Sequence, residues 1–236
     1  MTEIAPVLLL VAFVALVVAA LVGVFVLERK RRERLMQFAL MRGWEYVGQD
    51  PGLVELFTGD PFGEGDDREA RNVLTGQECG RPFTAFDYSY ETRSTDSKGH
   101  TSTTTHRFGV CAVALPVPLG AVEVVPENVL TRMAGAVGVL SDIDLESEDF
   151  NRRFRVRAGD RKLACDILTP RTMAYLISVT PEAWRIEGGH IVSWHPGRLD
   201  AAEVVRTCAV LDRVIDGIPS FVWRDAGRQS GYDPEP

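Results

Sequence analysis

"FDYSYETRSTDSKGHTSTTTHRFGV", residues 86–110, decides how the rest of this 236-residue chain is read. It holds two of the four histidines, His100 and His106, in a field of serines and threonines. Phe83, Ala85 or Phe86, Tyr88 and Tyr90 recur near a period of two, the spacing of a strand that buries a face. The strand resumes beyond the turn as "THRFGVCAVALPV". Threonine-rich alternation suits an exposed two-stranded ribbon, because β-branched side chains fit the pleat and hydroxyls tolerate water. "DSKG" supplies the turn residues. A turn at Ser97 and Lys98 sets Ser89 opposite His106 with Asp87 nearby, which raises a hydrolase set of Asp87, Ser89 and His106. No nucleophile elbow or oxyanion turn accompanies that set. Two strand histidines six positions apart are separated by ~20 Å at ~3.3 Å per residue. A metal ion needs its nitrogens ~2 Å away, so the stretch reads as a hairpin without a metal site.

Upstream, "PVLLLVAFVALVVAALVGVFVL" runs from Pro6 to Leu27 without a charge. A helix of that length rises ~33 Å at ~1.5 Å per residue, enough to cross the ~30 Å hydrocarbon core. The start "MTEIA" and the exit "ERKRRER" do not match a cleaved signal peptide, which wants a positive start and a small-residue cleavage site. Arg29, Lys30, Arg31, Arg32 and Arg34 follow the span, and no base precedes it. The positive-inside rule then places residues 1–5 outside and everything after the span in the cytoplasm. The same five bases are candidates for contact with anionic lipid headgroups, at ~1 kcal/mol per charge. The helix is expected to continue over 28–43, with Gly43 as its stop.

The remaining length suits one globular domain, 44–225, followed by a disordered tail over 226–236. Asp50 and Pro51 open a short helix, "PGLVELF". A loop, "GDPFGEGDDREAR", leads to a glycine-rich turn at 76–80. "SDIDLESEDF" lacks the glycine and glutamate spacing of a calcium loop and reads as a solvated acidic segment. Phe154 and Val156 point inward in the strand that follows, leaving Arg153, Arg155 and Arg157 free to pair with those acids. Helices are expected at "DRKLACDIL" and "PRTMAYLIS", and a hairpin turning at Gly188 and Gly189 within "WRIEGGHIVSW". A last helix has Asp200 as N-cap and Val204, Cys208, Leu211 and Ile215 as its core stripe.

A net charge of −7 argues against a nucleic-acid partner. Cys79, Cys111, Cys165 and Cys208 include no C-x-x-C pair and read as free thiols in a reducing compartment, with Cys208 buried. Lysine occurs only at 30, 98 and 162, an arginine bias typical of a GC-rich bacterial gene. No P-loop, G-x-S-x-G or H-E-x-x-H motif is present, and Gly63 and Gly65 lack the third glycine of a dinucleotide loop, so no cofactor is expected.

The order "RGWEY", "NVLTG", "FDYSY", "FNRRFRV", "LTPRTMAYL" and "IPSFVW" behind one N-terminal span resembles a family of uncharacterised bacterial single-pass membrane proteins. The resemblance covers nearly the whole chain, rests on aromatic and turn positions, and implies no catalytic residue. Together these readings predict an α+β domain, an antiparallel sheet with C-terminal helices on one face, behind one transmembrane helix. They imply a membrane-tethered interaction or ligand-sensing module with the bilayer and an unknown protein as partners. The rival is a membrane-anchored hydrolase using Asp87, Ser89 and His106.

Overall fold

A computed structural model describes residues 4–96, 98–127 and 140–230. Ser97, the first three residues and residues 231–236 of the expected tail lie outside the described residues. The chain divides into two compact units, Met1–Gly43 and Trp44–Pro236. The first is one helix, α1 (Ile4–Arg42), ended by Gly43 at φ +69, a conformation that costs glycine nothing. It is long and apolar enough to cross a membrane, with a mean hydropathy of 3.2 in its apolar window.

The second unit is an α+β fold built on antiparallel strands: β1 (Glu45–Gln49), β2 (Asp66–Glu78), β3 (Arg81–Thr95), β4 (Thr101–Pro126), β5 (Ser141–Asp142), β6 (Phe154–Ala158) and β7 (Ala183–Pro196). They join in the order β1-β2-β3-β4-β6-β5, and β7 also pairs with β4. The 26-residue β4 is the spine. It pairs with β3 through its first half, with β6 near its end, and with β7 along both halves.

Helices α2 (Glu148–Asn151), α3 (Arg161–Ile167), α4 (Pro170–Val179), α5 (Ala201–Gly217) and α6 (Ser220–Ser230) complete the unit. Their starts follow local chemistry. Ser147, Asp160, Thr169 and Asp200 each accept a hydrogen bond from a backbone N–H of the first turn they cap. α5 lays Val204, Cys208, Leu211 and Ile215 against one face of the sheet, where Cys111 of β4 meets Cys208.

The opposite face is covered as well. Asp50 caps a 3₁₀ turn, Pro51–Glu55, shorter than the expected helix, and the segment behind it delivers Phe57 and Phe62. Both pack into a cluster with Phe86, Tyr88, Tyr90, Phe108 and Trp194. Each fully buried aromatic of this kind stabilises the fold by ~1.5–3 kcal/mol. Covering both faces removes the ambiguity between Ala85 and Phe86. Ala85 pairs with Cys111 on the helix side and Phe86 with Val110 on the aromatic side, and both are fully buried.

Three expectations are corrected. The "WRIEGGHIVSW" segment is one continuous strand, β7, not a hairpin. Gly188, at φ +57, sits where the β4–β7 register shifts, so the glycine pair makes a bulge rather than a reversal. The β2–β3 turn is confined to Cys79 and Gly80, both at positive φ, and β2 begins at Asp66 inside the expected loop. Residues 226–230 continue α6 rather than starting a disordered tail, with Val222 buried on that helix.

Candidate functional site

The 86–110 stretch is a hairpin, and its register separates the residues of the hydrolase set. Asp96 N–H donates to His100 O at 3.0 Å, and Gly99 takes φ +82. Asp96 Oδ1 accepts from Lys98 N at 2.8 Å and His100 N at 2.9 Å. Asp96 therefore pairs with His100, ahead of which Gly99 is left-handed, so the strands are joined one residue later than a turn at Ser97 and Lys98 requires. The one added residue shifts every pair: Ser89 lies opposite Arg107, and His106 lies opposite Tyr90. A slip of one flips the face. His106 stacks on Tyr90 at 4.7 Å and shares a hydrogen bond of 2.9 Å with Thr92 Oγ1, on the aromatic side. Asp87 and Ser89 belong to the helix side, so Asp87, Ser89 and His106 do not form one site.

Asp87 has a different task. Its carboxylate accepts from Asn72 Nδ2 and from Leu199 N, both at 2.7 Å, and Asn72 Oδ1 accepts from Tyr46 Oη at 2.8 Å. This chain ties β1, β2 and β3 to the approach of α5. Beside it, His195 lies over Gly109, its partner across the β4–β7 pair. A Cβ at 109 would stand 2.3 Å from His195 Nε2, so only glycine admits the ring. His195 Nε2 is 3.4 Å from Glu203 Oε2. Burial, and then the nearby Glu203, push the Glu182 carboxyl up, against the pull of His195.

On the aromatic side Arg185 is nearly buried, at 6% side-chain exposure. Its guanidinium meets Glu123 Oε2 at 3.1 Å and Glu187 Oε2 at 3.0 Å, donates to Thr58 O, and lies 5.3 Å over Trp194 and 5.8 Å over Phe62. Glu187 Oε1 accepts from Thr58 N and Thr58 Oγ1. The two side chains thereby fasten the Phe57–Phe62 segment to β7, and paired, hydrogen-bonded charge is what burial demands. Burial, then Glu64 and Glu123, push the Asp60 carboxyl up, and burial raises the Tyr90 phenol to about 12. The Arg185 network was missed from sequence; its trace was "WRIE", charges alternating with apolar residues inside a strand otherwise buried.

Arg155 pairs with Asp142, as the charge pattern implied, and that pairing holds the Asp142 carboxyl down. Cys111 and Cys208 are free thiols with sulfurs 3.5 Å apart. Their hydrogen bond and burial push the Cys111 thiol well up, which leaves it poor in thiolate and inert. Among the described residues no group of three or more His, Cys, Asp or Glu is placed to hold a metal ion.

On α1, Arg29, Lys30, Arg32 and Arg34 are exposed, and Arg29 Nε lies 2.9 Å from Glu33 Oε1. At ~100° per residue these positions, together with the half-buried Arg31, encircle the helix instead of forming a stripe. A ring of charge at the end of an apolar run fits a spanning helix better than one lying in the interface, which needs a polar face along its length.

A scan against protein-family models gives no match, and neither does a search of curated proteins. Among solved structures the chain is similar to the crystal structure of the mycobacterial trehalose monomycolate transport factor A, TtfA. The TM-score is 0.60 at 16% identity, over 80% of this chain and 96% of that one. The likeness is one of fold.

Proposed function

We propose that this chain is a membrane-tethered accessory factor of envelope-lipid transport, with its globular unit in the cytoplasm. The observation that carries the reading is the join of two features: an uncharged span followed at once by a ring of bases, and a domain with the fold of a transport factor. The bases favour retention of the C-terminal side in the cytoplasm. Glu28 and Glu33 leave a net charge of +3 over 28–34, enough to hold anionic headgroups by ~3 kcal/mol at ~1 kcal/mol per charge. The hairpin arm beyond Glu91 and Thr105, whose strands pair with each other, offers a surface to a membrane-embedded partner.

The test is depletion of the chain in its host with newly made envelope lipids followed by isotope pulse. Lipids are expected to accumulate on the cytoplasmic side and to be exported again when the full chain is restored. A chain beginning at Trp44, lacking the span, should fail to restore export. Normal export on depletion refutes the transport reading, and rescue by the untethered unit refutes the tether.

A further inference from the structure

Between α3 and α6, beside the point where the β4–β7 register is interrupted, the globular unit carries an open cleft of about 780 Å³. That lies within the ~300–1,000 Å³ of small-molecule sites. Leu119, Leu163, Phe221 and Val222 form its apolar part. Gly120 sets how closely α3 approaches, because a Cβ there would stand 2.9 Å from Leu163 Cδ2. Phe221 is 38% exposed, one of few large apolar side chains left bare among the described residues of this unit.

The rim is charged, with three carboxylates to two cations, and each of these side chains already has a partner. Lys162 Nζ lies 2.6 Å from Asp166 Oδ2 and 5.5 Å over the Phe221 ring. Arg228 lies 3.8 Å from Asp225. Asp160 accepts from Lys162 N as the cap of α3. A phosphate finds no cation here without a carboxylate beside it, and an ammonium finds each of these carboxylates engaged. Hydrogen-bond acceptors with spare lone pairs and an aromatic face remain. Hydroxyl groups donate to such carboxylates without a charge to neutralise, and C–H bonds polarised by neighbouring oxygens meet the negative face of a ring.

We propose that the α3–α6 cleft binds the uncharged polyhydroxylated headgroup of an amphiphile, with the first methylenes of its tail on Leu119, Leu163 and Val222. The source of such a ligand rests on the membrane-tethered transport reading above. The affinity comes from the apolar floor, and selection against anionic lipids comes from Asp160, Asp166 and Asp225.

The experiment uses the full chain in phospholipid nanodiscs and an alkyl glucoside with a diazirine in its chain, added below its micelle concentration. A probe with the same chain and a phosphate head runs in parallel. After photolysis the labelled peptides are mapped by mass spectrometry. The glucoside is expected to label peptides spanning 118–120, 160–166 and 221–228, with at least tenfold less label in Phe221→Ser and in Asp225→Lys. The phosphate probe should label α1 alone. Asp225 is 58% exposed at its side chain, so Asp225→Lys keeps the fold, and an unchanged thermal midpoint verifies it. Label confined to α1, equal label from both probes, or label indifferent to Asp225→Lys overturns the proposal. A protein cross-linked in the cleft within cells, in place of the glucoside, overturns it too. Lost labelling with lipid export still dependent on the chain removes this inference alone; retained labelling with export independent of the chain removes the transport reading instead.

Discussion

Replacing Gly109 with alanine tests the β4–β7 register, which sets His195 over Gly109. The new methyl carbon would lie 2.3 Å from His195 Nε2, 2.7 Å from Cε1 and 3.2 Å from Cδ2. Non-bonded carbon contacts settle at ~3.5–4.0 Å, so the ring has to move by roughly 1 Å. It is held on the other side, with 16% side-chain exposure and Glu203 at 3.4 Å. Overpacking of this kind costs ~1–3 kcal/mol. For a unit of this size each 1 kcal/mol lowers the thermal midpoint by ~2–4 °C. Gly109→Ala should therefore melt ~2–12 °C below wild type, followed by near-ultraviolet circular dichroism of the full chain in nanodiscs. In a His195→Ala background the clash is gone. There Gly109→Ala should stabilise by a few tenths of a kcal/mol, because alanine restricts the unfolded chain, and the coupling energy should exceed ~1 kcal/mol. Equal losses in the two backgrounds would refute the Gly109–His195 pairing and the β4–β7 register.

Asp87→Ala should destabilise by ~1.5–3 kcal/mol through its lost bonds to Asn72 and Leu199, whereas Ser89→Ala stays within ~0.5 kcal/mol, read as chemical denaturation midpoints. Asp60→Asn should stabilise at neutral pH. The folded carboxyl is pushed above its ordinary value, so its charged form costs stability, and the gain should vanish as pH falls through the carboxylate range in pH-dependent melts. An aromatic disulfide reagent should titrate two thiols quickly, Cys79 and Cys165, and reach Cys111 and Cys208 only on unfolding.

What the sequence made legible follows a physical line. Elements fixed by local rules were readable: α5 from Asp200 and its apolar stripe, α4 from Thr169 and Pro170, and α1 from its uncharged run. The hairpin was readable from threonines and "DSKG", but not its register, because a two-residue and a three-residue loop share the same turn residues while inverting the faces. That single step carried His106 away from Ser89. Gly188 and Gly189 were misread because a bulge and a two-residue turn both call for positive φ, and only pairing with β4 along both halves distinguishes them. The Arg185 network and the cleft join residues far apart in the chain, which periodicity does not register. α6 was missed over 226–230 because its weakly apolar end looks like a tail.

The tethered, cytoplasmic placement of the globular unit is tested most directly by a membrane-impermeant maleimide applied to intact cells and, in parallel, to lysed ones. Cys79 and Cys165 are exposed on the folded unit, and the reagent reaches them without unfolding it. The account predicts no label on either cysteine before lysis, full label on both after it, and recovery of the chain with the membrane fraction. Label on Cys79 or Cys165 in intact cells would place the unit outside and contradict the account.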